Sequence, residues 1–405
     1  MKLFLSLLLT LFFSGSKAQT GNSYLADLTS LRSILEKTPS YKDQIKGKSL
    51  ASFNVLFDEL KNDSLNNISD YKYFYNLAQL FFPIQDNHLA FYQIDKFLTE
   101  SQYPKFEGNI DSLRTTLLNK ALDSIEGIYY YGDSYTVGLF RNKPKEFIGV
   151  VLDSKTTIWK KGQIAIHLYE TQSNYFKAIY GHPKFKFFQL YQIEKYSHHS
   201  LVNSYFYSSL SESIYTKVIR QKDYVNLPKN IYAYHFNNIA SDIQYLHIKN
   251  FSADRVAIQK SNAFYDSIKN SLTAPNLILD LRNNDGGANK VSKKFRKLIR
   301  QYSKDGQVYI LVNNGTVSQG EIFTLQLKKL SNVKVLGQTT KGMLVYGNNA
   351  DTRKTLFSKA FQVFITDMPG PKWLIPYENY GITPDIILTD DKDWVEQTIE
   401  IIRKK

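Results

Sequence analysis

The sequence predicts an α+β chain of several domains, with a helical N-terminal region, a β-rich middle and an α/β core at the C-terminal end. Three observations carry this reading. Apolar residues recur at helical spacing over residues 19–106, short aromatic and β-branched runs dominate 107–228, and strands alternate with helices over 229–405. The chain has 405 residues, 43% of them hydrophobic and 22% charged, enough to bury more than one core. Its 29 tyrosines and 26 phenylalanines favour strands and large buried rings over disorder.

Residues 1–18 read as an export leader. Lys2 supplies the charged start, 3–13 the apolar stretch, and Ser16 and Ala18 the small residues ahead of a mature start at Gln19. That stretch is shorter than the about 20 residues a membrane helix needs, and no other run approaches this length. The periplasm or the cell exterior is the expected destination. The chain has no cysteine, which excludes disulfides, thiol catalysis, thiolate metal sites and a cysteine-linked lipid anchor. The formal net charge of +14 falls to +12 when Lys2 and Lys17 leave with the leader. Its lysines are dispersed, as on a solvated basic surface, and export sets nucleic acid aside as a partner.

In the first region, Leu25, Leu28, Leu31, Ile34 and Leu35 mark one helix, and Leu50, Phe53, Leu56, Phe57 and Leu60 another. A third helical pattern runs into a loop at Pro83. One more helix is expected over 112–123, and then strands such as "GIYYYGDSYTVGLF", "KEFIGVVLDS" and "GQIAIHLYE" predict a small barrel or open sheet. After 229, "IQYLHIKNF", "NLILDL", "QVYILV" and "VKVLG" are strands separated by helices, the pattern of a largely parallel sheet. Ligands and reacting groups in such sheets gather at the carboxyl ends of the strands, where "NNDGG" and "NNGTVSQG" fall.

Gly286 and Gly287 lack a Cβ, so this turn can bring backbone N–H groups close to a bound oxyanion, or it can be a plain turn. Ser318 follows a strand and precedes a helix, with Glu321 three residues on. That spacing is a helix capping box, and it is also where a nucleophile would sit if a base lay near. Seven histidines are candidates for the base: His88, His167, His182, His198, His199, His235 and His247. His88 lies in a polar turn suited to an exposed base, whereas His167 and His247 fall within strand patterns. No paired-histidine metal motif and no glycine-rich nucleotide loop is present, so neither a metal nor a cofactor is expected.

Together the motifs resemble the serine peptidase family of tail-specific (C-terminal processing) proteases and the tricorn core protease. "LILDLRNNDGG" resembles the family's Asp-Leu-Arg-x-Asn-x-Gly-Gly block, and "VYILVNNGTVSQGEIF" its nucleophile block. "VLGQTTKG" resembles the following strand and glycine turn, and "YENYGITPDIIL" the closing Glu-x-x-Gly-Val/Ile-x-Pro-Asp block. They stand in family order across 277–388. The resemblance implies a crotonase/ClpP-like core with Ser318 as nucleophile, and Gln319 with Gly286 and Gly287 as oxyanion donors. The tail-specific branch uses a lysine whose aligned position falls on Met343, with Lys341 two residues earlier. The tricorn-like branch uses an upstream Asp-x-His, here Asp86-Asn87-His88, and a glutamate that maps to Glu378. It implies His88 as base, Glu378 as a tuning group, Asn87 in a supporting place and Lys341 as the alternative base. No PDZ-type Gly-Leu-Gly-Phe loop is present. The activity implied is hydrolysis of peptide or protein substrates, without metal. The alternative is a binding protein for a peptide or an apolar ligand on the same fold.

Overall fold

The computed structural model describes residues 23–404 apart from 69, 95–102, 212, 221 and 349–350; the expected leader lies outside the described residues. The N-terminal apolar spacing folds into α1 (Ser23–Leu35), α2 (Pro39–Gln44), α3 (Lys48–Lys61) and α4 (Tyr71–Gln79). Leu28, Leu31 and Leu35 are buried along α1, and Phe53, Phe57 and Leu60 along α3, each set on one helical face. Side chains of Thr38 and Asp70 cap α2 and α4 by accepting the N–H of Tyr41 and Lys72.

A turn leads to strand β1 (Ala90–Gln93), and helix α5 (Ile110–Leu118) follows. α5 starts where Asn109 accepts the N–H of Asp111 and Ser112, and it ends short of the expected 123 at Leu118. Leu118 and Leu122 are both exposed, so no buried apolar face continues the helix beyond this point.

Eight strands then close into a barrel: β2 (Gly127–Tyr131), β3 (Tyr135–Lys143), β4 (Glu146–Ser154), β5 (Ile164–Gln172), β6 (Tyr175–Gly181), β7 (Phe188–Ser197), β8 (Ser200–Leu201) and β9 (Tyr215–Thr216). Consecutive strands from β2 to β7 pair antiparallel, and the ring shuts through β7–β8, β8–β9 and β9–β2. Closure leaves the β-rich middle as a barrel, the first of the two expected forms. Its lumen is filled with rings. Tyr180 on β6 stacks on Tyr215 of β9, a strand that is not its neighbour, with ring centroids 5.9 Å apart. Tyr131, Tyr135, Trp159 and Phe206 join the same stack. An eight-stranded barrel is just wide enough for such filling.

The last region builds a second sheet from β10 (Tyr234–Ala240), β11 (Ile243–Ile248), β12 (Asn276–Asp280), β13 (Gln307–Val312), β14 (Val333–Gly337) and β17 (Ile386–Ile387), in that order. Only β10 runs antiparallel to its neighbour. Helices α6 (Arg255–Ile268), α7 (Asn289–Tyr302), α8 (Gln319–Lys328) and α9 (Trp394–Arg403) cover it. Strand alternation sorts the core: Leu277 and Leu279 face Phe295 and Phe323 of α7 and α8, while Ile278 faces Trp394 of α9. Between β14 and β17 the chain leaves this sheet. Strands β15 (Arg353–Thr355) and β16 (Phe361–Phe364) extend the barrel sheet through β1, which pairs with both β16 and β7. Phe361 and Val363 thereby enter the core shared by the N-terminal helices and the barrel.

Asp280 and Arg282 of the "DLR" stretch form a buried ion pair, Nη2 to Oδ2 2.6 Å. Burial alone would raise the Asp280 carboxyl, but the guanidinium overrides it and holds the group below the usual range. Tyr245 donates to Asp280 (2.9 Å) and Arg282 donates to the Tyr224 carbonyl (3.0 Å), so the pair anchors the end of β12.

Candidate active site

Strand β13 ends at Val312, and five residues bring the chain to Ser318, the residue that precedes α8. Its φ of 53° and ψ of −120° lie outside the regions that L-residues ordinarily adopt. Such a conformation costs roughly 1–3 kcal/mol and persists only where its surroundings enforce it. The enforcing contacts are present. Thr316 donates to the Leu281 carbonyl (2.7 Å), Val317 N–H to the Asn284 carbonyl (2.9 Å), and Ser318 N–H to Glu321 Oε2 (3.0 Å). The glutamate half of the expected capping box therefore exists on a strained strand-to-helix elbow, the turn that also exposes nucleophilic serines.

The glycine turn after β12 abuts this elbow. A Cβ placed on Gly286 would stand 2.8 Å from the Ser318 Cβ and 3.0 Å from the Val317 carbonyl oxygen, and Gly286 has a φ of +76°. Gly286 N–H already donates to Asn284 Oδ1 (3.0 Å), so of the two glycines Gly287 is the one left to serve an oxyanion. Gln319 N–H opens α8, where helix geometry supplies no acceptor. Gly286→Ala is expected to destabilise the fold by about 1–3 kcal/mol through backbone strain and overpacking. It should also slow serine-directed labelling at least a hundredfold. Urea unfolding and labelling kinetics check both.

Glu321 does more than cap. Fully buried, it also accepts Thr340 Oγ1 (2.6 Å), Gly342 N–H (2.7 Å) and Met343 N–H (2.9 Å), which pins the loop after β14 beside Ser318. At the very next residue, the same loop meets Glu378. Glu378 Oε2 accepts the N–H of Leu344 (2.9 Å) and Val345 (2.8 Å), and its Oε1 accepts Asn87 N–H (2.8 Å). Asn87 in turn donates through Nδ2 to the carbonyls of Lys341 (3.4 Å) and Gly342 (3.3 Å). Residues 340–345 thus carry the nucleophile side through Glu321 and the Asn87-His88 turn through Glu378.

In that turn His88 N–H donates to Asp86 Oδ1 (3.1 Å), and Thr366 donates to Asp86 Oδ2 (2.7 Å). His88 Nδ1 is buried with no hydrogen-bond partner. Burial first, then the Lys341 charge, pushes the His88 pKa down to about 4, so the imidazole is neutral at physiological pH. Burial and then Asp86 push Glu378 up to about 8, against its three N–H donors. Burial raises Asp86 to about 6. Lys341 is lowered by burial against the pull of Glu194 and Glu321. Ser318 and His88 share no hydrogen bond, as is common before substrate closes a site.

Asp86, His88 and Glu378 offer side-chain atoms within 4.8 Å of one another, a set that metals also use. Here, however, the carboxylate oxygens are engaged by the N–H and O–H donors already named. Three of the other six histidines are engaged elsewhere. His167 stacks on Tyr71 (3.8 Å), His247 binds the Asp280 carbonyl (3.0 Å), and His198 holds the Leu388 carbonyl (3.1 Å).

Sequence reasoning missed Lys195 and Glu194 on β7. Their signal was present: two adjacent charges inside the aromatic strand 188–197, where one must face inward.

Part of the chain is similar to known proteins. Residues 288–388 match the model of peptidase family S41. A relative from Staphylococcus epidermidis named "Probable CtpA-like serine protease" is 32% identical over a 145-residue alignment, covering 29% of this chain and 28% of the relative. The chain thus spans little more than a quarter of that relative's length. Among solved structures, the photosystem II D1 C-terminal processing protease is 13% identical over 94% of this chain and 97% of its own, with a TM-score of 0.39. The tricorn protease is 22% identical over 40% of this chain and 18% of its own, with a TM-score of 0.29. No helix among the described residues is long and apolar enough to cross a membrane.

Proposed function

We propose that the chain is an exported serine endopeptidase with a crotonase/ClpP-like core and a Ser318–His88–Glu378 site. The observation that carries this reading is the double attachment of loop 340–345, to Ser318 through Glu321 and to the His88 turn through Glu378. Ser318 Oγ attacks the peptide carbonyl while neutral His88 takes its proton and later returns it to the leaving amine. The N–H groups of Gln319 and Gly287 receive the oxyanion, each worth about 3 kcal/mol. Glu378 orients the His88 turn through Asn87, and water then releases the acyl group by the reverse sequence. The alternative of an apolar-ligand carrier gains nothing from the barrel, whose lumen is filled by its own tyrosines.

The purified protein is expected to cleave casein with EDTA present and to take up a fluorophosphonate, with peptide substrate slowing the uptake. A folded protein that does neither would overturn the proposal.

A further inference from the structure

Lys195 lies on the barrel, yet its ammonium reaches the peptidase loop. The residue is 4% exposed, and Nζ donates to the carbonyls of Thr340 (2.5 Å), Lys341 (3.0 Å) and Tyr380 (3.3 Å). An ammonium has three protons, which these three acceptors use, and while protonated it has no lone pair with which to act as a base. The acceptors belong to both halves of the site. Thr340 and Lys341 open the loop whose next two N–H groups hold Glu321, and Tyr380 stands two residues after Glu378.

The strand beneath is fixed as well. Glu194 is fully buried and accepts the Tyr180 hydroxyl (2.7 Å), Lys195 N–H (2.8 Å) and Asn203 N–H (2.8 Å). Tyr175 of β6 contacts the Tyr380 ring at 5.5 Å and lies 5.7 Å from Lys195 Nζ. Three carbonyl oxygens converging in a buried space repel one another unless a cation sits among them. The cation comes from the barrel, on strand β7.

We propose that Lys195 is a positioning residue for the peptidase site, by which the barrel holds residues 340–342 and 380 in the register that Glu321 and Glu378 require. The inference rests on the peptidase reading of Ser318. It gives the barrel a share in catalysis that a filled lumen could not give it through ligand binding.

The test uses the full chain with Lys195→Met, which keeps the length of the side chain and removes the charge. Amide hydrogen exchange over 342–345 is expected to accelerate at least tenfold, with β13 protection unchanged. Fluorophosphonate labelling and kcat should fall at least a hundredfold, with KM within about threefold of wild type, because substrate contacts are not removed. Wild-type exchange over 342–345 in the folded variant would overturn the inference, as would a change confined to KM. If the methionine variant does not fold, Lys195→Gln carries the same expectations and the same overturning results. The exchange readout stands apart from activity. A wild-type protein that fails to label, with a loop that still loosens in the variant, rejects the peptidase reading and leaves the loop-holding role of Lys195 in place.

Discussion

Replacing Ser318 by alanine is expected to lower peptide hydrolysis by roughly 10⁴-fold or more and to abolish fluorophosphonate uptake, while the protein stays folded. Two roles compete for this serine, and they differ in magnitude. A serine that only caps α8 would cost about 1 kcal/mol of stability on truncation and leave chemistry untouched. Here the contact that caps the helix runs from the Ser318 backbone N–H to Glu321, and alanine keeps it. Alanine also tolerates a φ of 53° about as poorly as serine, so the strain is present before and after substitution. The thermal midpoint is therefore expected to move only a few degrees. Turnover and a thermal melt of the same preparation check the pair of outcomes. Wild-type turnover with a lowered melting point would return Ser318 to the role of a cap.

The second large effect concerns the base. His88→Ala is expected to slow labelling by about 10²–10⁴-fold, the usual contribution of a positioned base. The pH profile separates His88 from Lys341. A base must be unprotonated to act, and His88 is held down to about 4. The acid limb of labelling should therefore fall near pH 4, well below the position of an ordinary histidine near 6.5. Lys341 is one of the two causes that lower His88. Lys341→Met is accordingly expected to keep most of the activity and to shift the acid limb upward, since a nearby positive charge no longer opposes protonation. A lysine base would behave in the opposite way. Lys341→Met would then eliminate activity instead of shifting the acid limb. Labelling rates of the two variants between pH 3 and 10 decide between them.

The α/β core was legible because its signals are local. The runs that became β12 and β13 are continuous and apolar, as strands buried on both faces must be, and alternation with helices fixes where their carboxyl ends point. Gly286, Ser318 and Gln319 therefore met at one edge with no long-range guess. Asp86, His88 and Glu378 required the family resemblance, since nothing near His88 in sequence signals Glu378. The sequence left a closed barrel and an open sheet as alternatives and did not show which of them forms. Closure depends on β8 and β9, two residues each, whose pairing is dictated by the partners they complete rather than by any pattern of their own. The excursion of 353–364 to the barrel sheet was hidden for the same reason. Glu321 was seen only as a cap, because the three further donors it serves come from residues about twenty positions away. The expected donor Gly286 N–H was lost to a side chain two residues back, Asn284, a turn habit of asparagine that the glycine pair obscured.

One measurement reaches the central claim directly: mass-spectrometric mapping of the fluorophosphonate adduct on the wild-type chain after proteolytic digestion. The account predicts a single modified serine, Ser318, in the peptide that spans the β13–α8 elbow, with the adduct lost on prior denaturation. An adduct on another residue, or equal labelling of the denatured chain, would contradict it.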